Sequence, residues 1–119
     1  MFGKIKLLAV TALVMLCMAC DLDPDKDEIP PGIPTNVRAV LASPISINIT
    51  WDSVPSAREY DVYVEVGSTP MNKIRTVKGT SHTHTSLQSN TTYNYYVSAR
   101  NKAGASDLSA CDSATTPSR

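Results

Sequence analysis

The sequence predicts an all-β protein: a seven-stranded antiparallel β-sandwich, preceded by an export signal and a short acidic stalk. Three observations lead there. Apolar and polar residues alternate with period two in segment after segment, most clearly in Ile45-Ser46-Ile47-Asn48-Ile49-Thr50-Trp51 and Tyr60-Asp61-Val62-Tyr63-Val64-Glu65-Val66; this is the pattern of strands buried on one face. Turn residues separate these segments at roughly ten-residue intervals, the spacing of a sandwich. No window holds a helical apolar period flanked by caps.

The chain opens with Lys4 and Lys6, an apolar run of twelve from Leu7 to Met18, and the small residue Ala19 before Cys20. A permanent membrane helix needs about 20 apolar residues, whereas a charged start, a short apolar stretch and a small residue mark an export signal. Residues 1–19 are therefore expected to direct export. The segment Leu16-Cys17-Met18-Ala19-Cys20 resembles a bacterial lipoprotein signal. That resemblance implies that Cys20 is lipidated and becomes the mature amino terminus. Each buried acyl CH₂ contributes about 0.8 kcal/mol, so two or more chains make release slow. Ordinary cleavage after Ala19 would instead release a soluble protein, in which Cys20 is available to pair with Cys111 in an oxidising compartment.

Without residues 1–19, nine basic residues face eleven acids, a formal charge of −2. That balance excludes the concentrated basic surface that nucleic-acid binding requires. From Asp21 to Pro34 the chain holds five acids, one lysine and four prolines. It has too little apolar surface to offset its own ordering entropy. Residues 20–33 are read as the lipidated cysteine and a solvated, proline-stiffened stalk. Asp21, Asp23, Asp25 and Asp27 also resemble the acidic sorting signals of some bacterial lipoproteins.

The folded domain is expected over residues 34–117, with strands falling in order. Asn36 to Val40 alternates and Ser43-Pro44 turns the chain; Ile45 to Trp51 forms the second strand, and Pro55 marks the loop after it. Tyr60 to Val66 is the third strand, followed by a turn at Gly67-Ser68-Thr69-Pro70, and Lys73 to Val77 is the fourth. Ser81 to Leu87 follows the turn at Gly79, Tyr93 to Asn101 is the strong sixth strand, Ala103-Gly104-Ala105 reads as loop, and Ala110 to Thr116 closes the fold weakly.

Several of these segments resemble the fibronectin type III family. Thr35-Asn36-Val37-Arg38-Ala39 is similar to its opening, and Trp51 closes the second strand as it does there. Tyr60-Asp61-Val62-Tyr63 resembles its third strand, and Leu87 to Asn101 its tyrosine corner and sixth strand. Ser89 stands where that family often has proline, and Asp112 near a usually apolar position. The resemblance implies that the third and sixth strands are neighbours. The core is expected from Trp51, Tyr60, Val62, Leu87, Tyr93 and Val97, with Tyr93 returning its hydroxyl to backbone near Leu87.

The outward residues of those two neighbouring strands form the candidate binding face: Asp61, Tyr63 and Glu65 on one, Asn94, Tyr96 and Arg100 on the other. Tyr63 and Tyr96 are expected as an exposed aromatic pair rimmed by charge, a composition suited to recognition. The bland reading is that sheet surfaces favour tyrosine. The loops from Asp52 to Ala57 and Asn101 to Asp107 are a second candidate.

Other chemistry is sparse. His82 and His84 lie two apart on one strand face and could seed a metal site, but no third ligand is nearby in sequence. No nucleophile elbow, phosphate loop or paired-carboxylate motif occurs, so catalytic residues, metals and cofactors are expected to be none. Cys111 reads as a packing thiol. The expected function is a non-enzymatic lipoprotein at the bacterial envelope, held to a membrane by its lipid and binding an extracellular or periplasmic protein or glycan. A passive spacer or subunit with pairing edge strands is the structural alternative, and a small accessory hydrolase or metal-binding protein the chemical one.

Overall fold

A computed structural model describes residues 29–118. The expected signal, Cys20 and most of the expected stalk lie outside these residues. Eight strands follow in order: β1 (Arg38–Ser43), β2 (Ser46–Thr50), β3 (Glu59–Val66), β4 (Asn72–Val77), β5 (Ser81–His84), β6 (Thr92–Asn101), β7 (Gly104–Ala105) and β8 (Asp112–Thr115). They build two antiparallel sheets, one of three strands ordered β1-β2-β5 and one of five ordered β4-β3-β6-β7, with β8 also pairing β6.

The period-two faces close on one another as the alternation requires. Ile47, Ile49 and Trp51 from the small sheet meet Tyr60, Val62, Val64, Tyr93, Tyr95, Val97 and Ala99 from the large one, all buried. Trp51 packs a tilted ring on Tyr60 at 5.6 Å between centroids. Burial of a ring this size contributes on the order of 4–6 kcal/mol. The Tyr60 hydroxyl, at the rim of the core, accepts the Val54 N–H at 2.8 Å and so holds the loop after β2.

Tyr93 makes the expected corner: the Gln88 N–H donates to its hydroxyl at 2.9 Å, beside buried Leu87. Thr116 fastens the same corner where Ser89 replaces a proline. Its hydroxyl donates to the Gln88 carbonyl and accepts the Thr91 N–H, and Thr116 is 1% exposed.

The last edge differs from the single closing strand expected at Ala110 to Thr116. Gly104 and Ala105, expected in a loop, pair with Asn101 and Arg100 as β7, and β8 pairs only with Thr92 to Tyr95. Between them the ladder is kept by two serines. Ser106 donates its N–H to the Ala99 carbonyl at 2.8 Å and accepts the Ala99 N–H on its hydroxyl at 3.0 Å. Ser109 repeats this on Val97, at 2.9 Å for both bonds. Each serine thus offers a donor and an acceptor to one residue of β6, which satisfies a strand that otherwise lacks a neighbour there.

Asp112, polar where an apolar residue was expected, joins the sheets. Its carboxylate accepts the Ala39 N–H of edge strand β1 at 2.8 Å. At the other end the domain starts earlier than residue 34. Asn101 donates to the Ile29 carbonyl at 2.9 Å and to the Ser56 carbonyl at 3.2 Å, and Pro31 is buried.

Candidate functional site

The outer face of the five-stranded sheet is set by the β3–β6 register, which places Glu59 opposite Arg100, Asp61 opposite Ser98, Tyr63 opposite Tyr96 and Glu65 opposite Asn94. Successive outward residues on a strand are two positions apart, so these four pairs form four rows. The expected neighbours therefore do meet, with Tyr63 and Tyr96 directly facing.

The rows are not equivalent. Asp61, expected on the exposed rim, is 3% exposed. Its Oδ1 receives the Thr76 hydroxyl at 2.6 Å and Arg100 Nη2 at 3.1 Å, with Lys73 Nζ at 3.8 Å. Arg100 reaches it diagonally from the next row and touches Glu59 at 3.3 Å with the same nitrogen. An outward carboxylate becomes buried here because longer side chains from both flanking strands fold over it. Ser98, opposite, is covered as well, and its hydroxyl has no hydrogen-bond partner among the described residues. Asp61 is thus closed off within the sheet, which corrects its place in the exposed face, while Arg100 is tied to it and stays half-exposed.

Tyr63, Tyr96, Glu65 and Asn94 are half-buried and remain accessible. The Tyr96 hydroxyl donates to Glu65 at 3.3 Å. Burial, with the Cys111 thiol and Glu65 carboxylate beside it, holds this phenol above its ordinary range. Among the described residues neither the Tyr63 ring nor the Tyr96 ring stacks on another ring, and the Tyr63 hydroxyl has no partner.

Cys111 is free and exposed, beside Tyr96 rather than packed away as the sequence suggested. It also walls a mostly apolar groove of about 380 Å³ between Ile33-Pro34-Thr35-Asn36-Val37 and Ser109-Ala110-Cys111. Lys73, Thr76 and Cys111 were the residues of this region that sequence reasoning missed. Thr76 stands directly opposite Asp61, and Lys73 is placed by a register shift between Val62 and Tyr63 that no spacing announces.

The histidines lie on the edge strand of the other sheet. His84 Nδ1 is 2.8 Å from the Tyr95 hydroxyl, and its ring sits edge-on to Tyr93 and Tyr95. Burial, then the neighbouring His82, lowers its pKa; burial, then Arg75, lowers that of His82. Burial pushes the Tyr95 phenol well above its ordinary range. No group of three or more His, Cys, Asp or Glu among the described residues could hold a metal ion.

The fibronectin type III domain profile matches residues 32–111. The chain belongs to the fibronectin type III family. The alpha-amylase of Niallia circulans is 31% identical over 94 residues, covering 73% of this chain and 7% of that enzyme. The poly(3-hydroxybutyrate) depolymerase of Ralstonia pickettii is 36% identical over 86 residues, covering 71% and 17% respectively. This fibronectin type III chain therefore spans a small part of either relative. The FN5 domain of Drosophila Lar superposes with a TM-score of 0.63 at 28% identity, over 75% of this chain and 99% of that one.

Proposed function

We propose that this chain is a non-enzymatic, exported lipoprotein that presents a single fibronectin type III module at the bacterial cell envelope. The module binds a protein or glycan outside the cytoplasm through the Tyr63–Tyr96 face. The observation that carries this reading is the open aromatic row beside a closed one: two facing tyrosines remain accessible while Asp61 in the next row is closed off by Thr76, Lys73 and Arg100. Tyrosine gives a large contact area at small rotamer cost. The match to minor portions of two larger bacterial hydrolases supports an accessory rather than a catalytic role.

Replacing Tyr63 and Tyr96 together by serine should abolish partner capture from envelope extract while the fold survives. Unchanged capture removes the aromatic face as the site. For the anchor, the membrane-extracted protein should have an intact mass that starts at Cys20 and includes acyl chains; an unmodified amino terminus at Cys20 sinks that part of the reading.

A second reading, a structural subunit that pairs through its edge, is favoured by β1, where Val40 is 61% and Leu41 42% exposed. Lysine at Val40 separates the two, because it should block edge pairing and leave the tyrosine face intact.

A further inference from the structure

Taking the Tyr63–Tyr96 face as the binding site, we infer that its partner is an extended segment of protein carrying a lysine or arginine two positions from an aliphatic residue. The cation lies over the two rings against Glu65, and the aliphatic side chain enters the groove beyond Cys111.

Charge complementarity selects the cation. The face carries three acids, Glu59, Asp61 and Glu65, and two bases, Lys73 and Arg100. Both bases are already engaged, Lys73 with Asp61 and Arg100 with Asp61 and Glu59. Glu65 has no ion-pair partner among the described residues and receives only the Tyr96 hydroxyl. The unbalanced negative charge of the face therefore sits beside its two accessible rings. The faces of those rings are themselves electron-rich, so a cation placed over them is attracted by ring and carboxylate together. Any partner that covers the rings also strips water from Glu65. A neutral sugar donates hydroxyls to that carboxylate but brings no counter-charge. An anionic glycan is repelled. A lysine or arginine side chain satisfies it.

The groove supplies the second contact. Ile33, Pro34, Val37 and Ala110 give it apolar walls, and Cys111, which lines it, also lies beside Tyr96. Side chains two positions apart in an extended peptide point the same way and are set to reach two such adjacent sites, one polar and one apolar.

The test uses the full isotopically labelled chain in detergent micelles, with the ring signals of Tyr63 and Tyr96 followed by nuclear magnetic resonance. Three probes are added in turn: acetyl-Gly-Arg-Ser-Leu-Gly-amide, the same peptide with glutamine for arginine, and maltohexaose. The arginine peptide should move both rings, and the glutamine peptide should bind about tenfold more weakly, since an exposed cation–π contact with a carboxylate beside it is of that order. Glu65→Gln should bring the arginine peptide part of the way down to the glutamine level, since the rings still attract the cation, with the near-ultraviolet signal of Trp51 showing that the variant is folded. Equal binding of the two peptides overturns the inference. Ring shifts from maltohexaose alone also overturn it, while leaving the face as a binding site. If no probe moves the rings, the cationic anchor falls. Continued loss of capture in the double tyrosine variant would then show that the face itself still stands.

Discussion

Two adjacent rows on one sheet surface, built from the same strands and both facing outward, have opposite fates. In the Asp61–Ser98 row, both side chains are short. Thr76, Lys73 and Arg100 reach over from the sides, so an acid on the outer face ends at 3% exposed with three partners. In the Tyr63–Tyr96 row, the side chains are long and half-buried, and both rings stay accessible although Lys73 pairs across from Tyr63. Burial on a sheet surface is therefore decided laterally, by which side chains are long enough to fold over their neighbours, and not by the face a residue points to. A closed row contributes to stability, and an open row keeps its rings accessible.

The largest effect should come from opening the closed row. Asp61→Ala removes the acceptor shared by Thr76 and Arg100 and leaves both donors facing an emptied site. Deleting one partner of a buried ion pair typically costs about 3–5 kcal/mol. Arg100 is partly exposed, its side chain 34% accessible, so solvent offsets some of that loss and about 2–3 kcal/mol is expected. For a domain of this size that is roughly 10–20 °C in Tm by thermal unfolding. A shift below about 2 °C would mean that the row is not structural and that the contrast between the rows is false.

The inner faces were legible in the sequence because burial between two sheets obeys a period of two. Ile47, Ile49, Trp51, Tyr60, Val62, Tyr93 and Val97 could be assigned from alternation alone, and all are buried. The facing of Tyr63 and Tyr96 followed from the neighbourhood of the third and sixth strands, which the family resemblance supplied. Asp61 was misplaced because alternation says which side a residue faces and nothing about what lies beside it. Its cover depends on the register shift in the β3–β4 pair and on a diagonal reach by Arg100. The divided last edge was illegible for a related reason. Ser106 and Ser109 look like loop residues, yet their hydroxyls stand in for backbone acceptors in a ladder.

Those serines give the next largest effect. Ser109→Ala leaves the Val97 N–H without its acceptor in a buried position, at a cost of about 1–2 kcal/mol. Ser106→Ala removes the equivalent acceptor from Ala99 at a more exposed point and should cost less, about 0.5–1 kcal/mol. Amide hydrogen exchange resolves the two: Val97 should lose protection in the first variant and Ala99 in the second. The aromatic row of the same strand should be undisturbed. A change in the Tyr96 ring signal would show that the edge and the face are coupled.

A pH-dependent effect belongs to the opposite sheet. His82 and His84 both have folded-state pKa values below the ordinary 6.5, so between that value and the lowered ones the unfolded chain binds more protons than the folded one. Stability should be flat above about pH 6.5 and fall as the pH drops below it. Urea unfolding across pH 5–7 should show this slope. His84→Gln, which can still hydrogen-bond the Tyr95 hydroxyl, should flatten it. A slope that persists in the His82→Gln, His84→Gln double variant would place its origin elsewhere, the large sheet's carboxylates included.

The smallest stability effect should come from the open row itself. Tyr63 has no hydrogen-bond partner for its hydroxyl and no ring contact among the described residues, so Tyr63→Ser gives up only a cross-strand pair contribution of about 0.2–1 kcal/mol. Tyr96→Ser also frees Glu65 from its 3.3 Å hydrogen bond, but at a half-exposed site water replaces that donor at little cost. Each variant should therefore unfold within a few degrees of the parent while losing partner capture, the reverse of Asp61→Ala, whose folded fraction should capture normally. If Tyr63→Ser instead destabilises the domain as much as Asp61→Ala does, the rings contribute to the fold after all. The accessible row would then be a second closed one, and the binding site would have to be sought in the loops at 52–57 and 101–107.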